Sequence, residues 1–335
     1  MLFWRRKVIY FIMKKAKRAI SFVALVVALA FTPLVASAKT RKETEFPLKP
    51  EEYSGILRLW HVETFEGGVG SRADFLTKRA IEFGRKGLHV LVSVHTAESA
   101  ATAISEGERP DLVSFGAGAD FVAPLAKSFS LTVNGKRLNE HAYPWARGGY
   151  FLFRKAGDAS PIKTLTVSDG GSNIPLGAVY RSRLAYEKLE TVKSTDAYLK
   201  LVTGRTDALI GTQRDIRRFA VRNFAYDVTP LNAYCDLYQY ISVTSDNETD
   251  FKAAVDFARF LLDKSVAEKL PSLNLTSAYY APQTDFPLSL LAEKAETRLA
   301  PFVSQSLIDE IKADLADSLA ANKNCLPFEN ACISE

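Results

Sequence analysis

Three short apolar runs, at residues 56–60, 89–94 and 111–115, alternate with two amphipathic segments at 72–83 and 98–105. Apolar runs of this length suit buried strands, and the segments between them carry helical spacing. In the first amphipathic segment Phe75, Leu76, Arg79, Ala80 and Phe83 recur at intervals of three and four, after Ser71 as a candidate N-cap. Strand–helix alternation of this kind builds a parallel sheet with helices on its faces. Ligands of such sheets bind beyond the carboxyl ends of the strands. Here those ends read His61-Val62-Glu63-Thr64-Phe65-Glu66-Gly67-Gly68, then His95-Thr96, then Gly116-Ala117-Gly118. The chain is therefore expected to be an α/β protein with a binding surface at these ends.

Residues 1–38 hold seven basic residues and no acid. Lys14, Lys15, Lys17 and Arg18 precede an apolar run at 19–31, and Val35-Ala36-Ser37-Ala38 ends it in small residues. That order is a secretory signal cut after Ala38. The other reading, an uncleaved anchor, meets an apolar run that is short for a membrane span. The whole chain is +5, but residues 39–335 carry 36 basic against 38 acidic residues. The basicity belongs to the signal and argues for no nucleic-acid partner. No cysteine lies near Ala38 to carry a lipid anchor, so the protein is expected free at the periplasmic or extracellular face. Cys325 and Cys332 can close a small disulfide loop in an oxidising compartment, or all three cysteines can remain thiols.

Beyond the signal the chain exceeds the usual size of one core, so two lobes are expected. Residues 39–53 form a polar leader with Pro47 and Pro50. Val133-Asn134-Gly135-Lys136 reads as a turn, and Tyr143-Pro144-Trp145 with Gly148-Gly149 after it suits a chain crossing between lobes. A second α/β unit then offers strands at 164–167, 207–210 and 237–243, with helices at 195–203, 215–220 and 251–262. Residues 289–335 read as C-terminal helices.

Five phrases in this order resemble the extracellular solute-binding proteins of ABC importers, of a family 1-like kind. They are Phe75-Leu76-x-x-Arg79-Ala80-Ile81-Glu82-Phe83, Gly107-x-x-Pro110-Asp111-Leu112-Val113-Ser114-Phe115-Gly116, Tyr143-Pro144-Trp145, Gly204-Arg205-Thr206-Asp207-Ala208-Leu209-Ile210-Gly211, and the helix at 253–262. The resemblance covers residues 56–273. It implies a type 2 periplasmic-binding fold, in which two lobes, each a sheet flanked by helices, are joined by hinge strands. Lobe 1 would hold 54–145 and 239–288, and lobe 2 would hold 146–238. It also implies a monomer that captures a small solute and delivers it to an ABC permease and its ATPase. No catalysis, cofactor or metal is implied.

Candidate ligand residues come from the strand ends and crossings. In lobe 1, Trp60 can stack on a sugar face while His61, Glu63, Thr64 and Glu66 bond hydroxyls, and Thr96, Phe115 and Gly116 complete that wall. Trp145, Arg147 and Tyr150 sit where the chain would cross the cleft. In lobe 2, Ser172, Asn173, Thr212, Gln213 and Arg214 sit at loops that open helices. Asp236 and Tyr238 lie on the return. Arg214, Arg217 and Arg218 look like an anion cluster, but consecutive turns are expected to set them on different sides. The mixture of aromatic, carboxylate and amide groups favours a carbohydrate. A small anion or phosphorylated solute is the alternative, and an exported hydrolase a third, with neither an HExxH nor a GxSxG pattern to support it.

Overall fold

Period-two burial in the first apolar run sends Leu57 and Leu59 inward, and this strand, β1 (Ile56–Glu63), opens the first lobe. The computed structural model describes residues 55–63, 71–84, 89–169, 171–282 and 286–334. The expected export signal and polar leader, and Thr64, Glu66 and the glycines that follow them in sequence, lie outside the described residues.

From β1 the chain runs through α1 (Arg72–Gly84), β2 (His89–Thr96), α2 (Ala97–Ser105) and β3 (Leu112–Phe115). Phe75, Leu76, Ala80 and Phe83 are the buried stripe of α1, as their spacing predicts. Thr96 opens α2 by accepting from the Ser99 amide at 3.1 Å. A hairpin comes next, β4 (Phe129–Val133) and β5 (Lys136–Glu140). Its turn needs two positive φ angles, which Asn134 (+50°) and Gly135 (+74°) supply. Then β6 (Tyr143–Arg147) leads to the second lobe.

That lobe contains β7 (Tyr150–Lys155), β8 (Thr164–Asp169), α3 (Pro175–Ser182), β9 (Lys188–Lys193), α4 (Ser194–Val202), β10 (Ala208–Thr212), α5 (Gln213–Val221) and β11 (Tyr226–Pro230). The chain returns through β12 (Tyr234–Cys235) to β13 (Tyr238–Val243), α6 (Glu248–Leu261) and α7 (Lys264–Ala267). It ends with β14 (Thr297–Leu299), α8 (Gln305–Ala321), α9 (Leu326–Ala331) and β15 (Cys332–Ser334).

Two five-stranded sheets result, ordered β2-β1-β3-β13-β6 and β11-β7-β10-β8-β9. In each, parallel strands joined by helices sit beside antiparallel ones contributed by the crossings. Alternation in β7 sends Phe151 and Phe153 into a core shared with Tyr198, Ile216 and Phe219, while Tyr150 turns to the other side, toward the lobe junction.

The C-terminal segment departs from the helical expectation. It contributes β14 and β15, which build a three-stranded sheet on β12. These strands are three residues long, too short to display a period, and β14 finds its partner in a crossing strand more than 60 residues earlier. The tail also seals the second lobe. Phe328 packs edge-on against Tyr180 and Tyr234, and a Cβ on Gly177 would stand 2.7 Å from both Phe328 and Tyr234.

The same tail decides the disulfide question. Cys325 caps the start of α9 and Cys332 its end, and the helix between them holds their Cα atoms about 10 Å apart, beyond the roughly 7 Å a disulfide spans. All three cysteines are thiols. Denatured, unreduced protein should titrate as three thiols, and added reductant should leave the melting temperature unchanged. A titration of one thiol would contradict this geometry.

Candidate functional site

The lobes meet where the carboxyl ends of both sheets face each other, and two crossings tie them there. The outward crossing is Arg147-Gly148-Gly149-Tyr150. Its amides are fixed on both sides: Arg147 N donates to Thr276 O at 2.8 Å, Gly148 N to Leu237 O at 2.8 Å, and Gly149 N to the Gln213 side chain at 3.1 Å. Gly148 is required here, since a Cβ would sit 2.5 Å from the Gln213 amide nitrogen. Gln213 is itself fully buried, and its carbonyl accepts from Asn274 at 2.9 Å.

On the return crossing Asp236 is buried, with 3% exposure. One carboxylate oxygen accepts from the Tyr150 hydroxyl at 2.6 Å and the other from the Ile174 amide at 2.6 Å. Ile174 stands at the N-cap of α3 but has no side chain able to cap. Asp236 performs that task from a distant segment, occupying the seat that a bound anion takes at other helix N-termini. Burial raises the Asp236 pKa, opposed by the hydrogen bond from Tyr150. Burial, and then the Asp236 charge, push the Tyr150 hydroxyl well above its usual value.

The floor of lobe 1 is a buried polar chain. Trp145 Nε1 donates to Ser114 Oγ at 3.1 Å, and Ser114 Oγ lies 3.3 Å from His61 Nδ1. The Ser114 hydroxyl thus links the Trp145 indole of β6 to the His61 ring of β1. His61 is 1% exposed, and burial, then the Arg72 charge, lower its pKa to about 3. The ring is neutral.

The other expected residues divide into two groups. Trp60 stacks on His95 at 4.3 Å and Trp145 on Phe75 at 5.8 Å, each nearly without exposure, so neither ring presents an open face in this arrangement. Phe115 packs between Tyr240 and Phe302, and Tyr238 lies against Tyr240 with the Arg298 guanidinium above it. Arg147 donates to the carbonyls of Leu291 (2.6 Å) and Glu293 (3.0 Å), tying down the C-terminal segment. The remaining group stands at the strand ends. Glu63 and Thr96 are paired neighbours there and exposed, and Gly116 is buried beside them. Ser172 donates to Gln305 at 2.8 Å, opposite Gly118. Thr212 caps α5 by accepting from the Arg214 amide, and Arg214 is half-buried on that helix.

Two buried amides at the junction lack the partners their surroundings should provide. Asn173, 2% exposed in lobe 2, has an unpartnered Oδ1. Gln239, fully buried in lobe 1, has neither side-chain atom hydrogen-bonded. Gln239 lies one residue before Tyr240, the strand partner of Phe115, on the side of the junction. Sequence reasoning missed it because the aromatic alternation of Tyr238 and Tyr240 points to the opposite face of β13. A lone amide inside that aromatic strand was the available signal.

These features define a two-lobed α/β protein with the type 2 periplasmic-binding fold. Similar solved structures include an ABC transporter protein from Clostridium perfringens, at TM-score 0.54 and 11% identity, covering 80% of this chain and 100% of that one. A FutA (IdiA) protein of Trichodesmium in complex with iron and citrate matches at TM-score 0.55 and 13% identity, over 80% and 99%. Apo FutA2 from Synechocystis matches at 0.53 and 13%, over 80% and 99%. No protein-family model and no curated protein matches the chain.

Proposed function

We propose that this protein is an exported solute-binding protein, which encloses a small solute between its lobes and hands it to an ABC import permease and its ATPase. The observation that carries this reading is the pair of buried, incompletely bonded amides, Gln239 and Asn173, one from each lobe at the junction. An unmet buried hydrogen-bonding group costs about 1–3 kcal/mol and is uncommon in native proteins. A solute that donates to and accepts from both amides removes that cost only when the lobes are together. The fold, shared with an ABC transporter protein, supports the same role. Among the described residues no helix is long and apolar enough to cross a membrane.

The solute class we favour is neutral and rich in hydroxyls, as in a carbohydrate. Amides suit hydroxyls in both directions, His61 is uncharged, and the N-terminus of α3 already holds the Asp236 carboxylate. The second reading is a small anion or its metal chelate, favoured by the Trichodesmium structure, which contains iron and citrate.

Thermal-shift screening separates them, because a solute present at a hundredfold over its Kd adds about 2.7 kcal/mol of stability. Sugars and polyols should raise the melting temperature, while citrate and phosphate should not; the reverse result favours the second reading. Gln239→Met should make a sharper test. It replaces the unbonded amide with an apolar side chain of similar volume, so the solute-free protein should gain about 1–3 kcal/mol while the solute-induced shift disappears. Full retention of that shift would remove Gln239 from the site.

A further inference from the structure

The arginines of α5 do not point to different sides. Arg214, Arg217, Arg218, Val221 and Arg222 obey the i, i+3, i+4, i+7, i+8 spacing and line one groove, while Ile216 and Phe219 of the same helix face the core. Tyr198, Leu199 and Thr195 of α4 form the other wall of a groove of about 460 Å³. Arg218 and Arg222 lie over the Tyr198 ring, their guanidinium carbons 5.8 and 5.4 Å from its centre. That stacking holds two planar cations against the floor of the groove. Asp215, the acid of α5, is buried and engaged with Arg218 at 3.0 Å, and no acid is among the described residues that line the groove. Four arginines within nine residues are a local excess in a chain whose residues 39–335 are slightly acidic.

We propose that this groove is a docking surface for a bilayer of acidic phospholipids. Guanidinium forks match phosphate oxygens two at a time. The apolar side chains beside them are isolated and protruding, Val221 at 77% and Leu199 at 38% exposure, in place of the continuous apolar patch that anchors a protein partner. Cations flanking a few exposed aliphatic tips are the chemistry of an interfacial membrane contact. The surface lies outside the lobe junction, on the outer helices of lobe 2, and its assignment is independent of what the junction binds.

The test is co-sedimentation of the purified full chain with vesicles of phosphatidylglycerol and phosphatidylethanolamine, against vesicles of phosphatidylcholine alone. Binding should require the acidic lipid and should fall when salt is raised about tenfold, since exposed charges are then screened. Arg217→Glu with Arg222→Glu should cut the bound fraction at least about tenfold, because each basic residue near an anionic surface contributes about 1 kcal/mol. Arg217→Lys with Arg222→Lys should retain most of it. Both variants keep the wild-type N-terminus and the Arg218–Asp215 pair, and matching melting temperatures establish that they fold alike. Equal binding to phosphatidylcholine, or an unchanged bound fraction in the Glu variant, overturns the proposal. So does displacement by millimolar glycerol phosphate, which would assign a soluble anion, or a preference for polyglutamate over vesicles, which would assign an acidic protein.

Discussion

Asp236→Ala is expected to lower the unfolding free energy by about 3 kcal/mol or more, the largest effect of any single substitution at the lobe junction. The carboxylate accepts from two buried donors, the Tyr150 hydroxyl and the Ile174 amide, both at 2.6 Å. Its removal leaves each donor without an acceptor in a place water does not reach, at about 1–3 kcal/mol apiece. It also opens the N-terminus of α3, where Ile174 has nothing to offer. Asp236→Asn should cost less, because its amide oxygen still accepts one of the two bonds and the tyrosine hydroxyl can rotate to accept the amide. Urea unfolding of the three proteins measures this order. A loss below about 1 kcal/mol for the alanine variant would mean that the junction repacks without the carboxylate.

The second large effect concerns acid. His61 is neutral in the fold because burial lowers its pKa from 6.5 to about 3. Between those values the unfolded chain binds a proton that the folded chain refuses, so stability rises with pH across that window and is lost as pH falls. At 1.36 kcal/mol per pKa unit the loss approaches roughly 4–5 kcal/mol near pH 3. Asp215 and Asp236 work in the opposite sense. Burial raises both, so their contribution is present below the unfolded carboxylate value and disappears as pH climbs through the folded one. The total curve mixes the three, and the difference between wild type and His61→Asn isolates the histidine. That difference should narrow steadily from pH 6.5 downward. Parallel curves for the two proteins over this range would show that His61 charges without penalty.

The local architecture was legible in the sequence. The first strands and helices fall within three residues of their apolar periods, and the Asn134-Gly135 turn declared itself by residue type. Those signals are short-range, set by neighbours within one turn or one strand. The tethers of the junction are long-range: Asp236 meets Ile174 62 residues earlier, and Arg147 meets Leu291 144 residues later. Nothing in a local pattern distinguishes an arginine that binds two carbonyls from one that awaits a solute. Trp60 and Trp145 illustrate the same limit, since residue type alone does not say which aromatic ring at a strand end is covered by its neighbours. The arginine stripe is a different kind of omission. Its spacing was present in the sequence and needed only to be counted through to Arg222.

The three-stranded sheet on the return crossing carries a consequence for biogenesis. β12 pairs with β14, and β14 with β15, so the segment that leads the chain back into lobe 1 gains its neighbouring strand, and that strand its own partner, from residues 297–334. A chain synthesised from its N-terminus has both five-stranded sheets complete in sequence before these strands arrive. Until then Tyr234 lacks the Phe328 ring that covers it, and β12 presents an open edge of backbone donors and acceptors. The lobes can fold early, but the joint between them waits for the last residues to appear. Any cellular factor that guards the emerging chain would be needed longest at that edge, far from either lobe's own core.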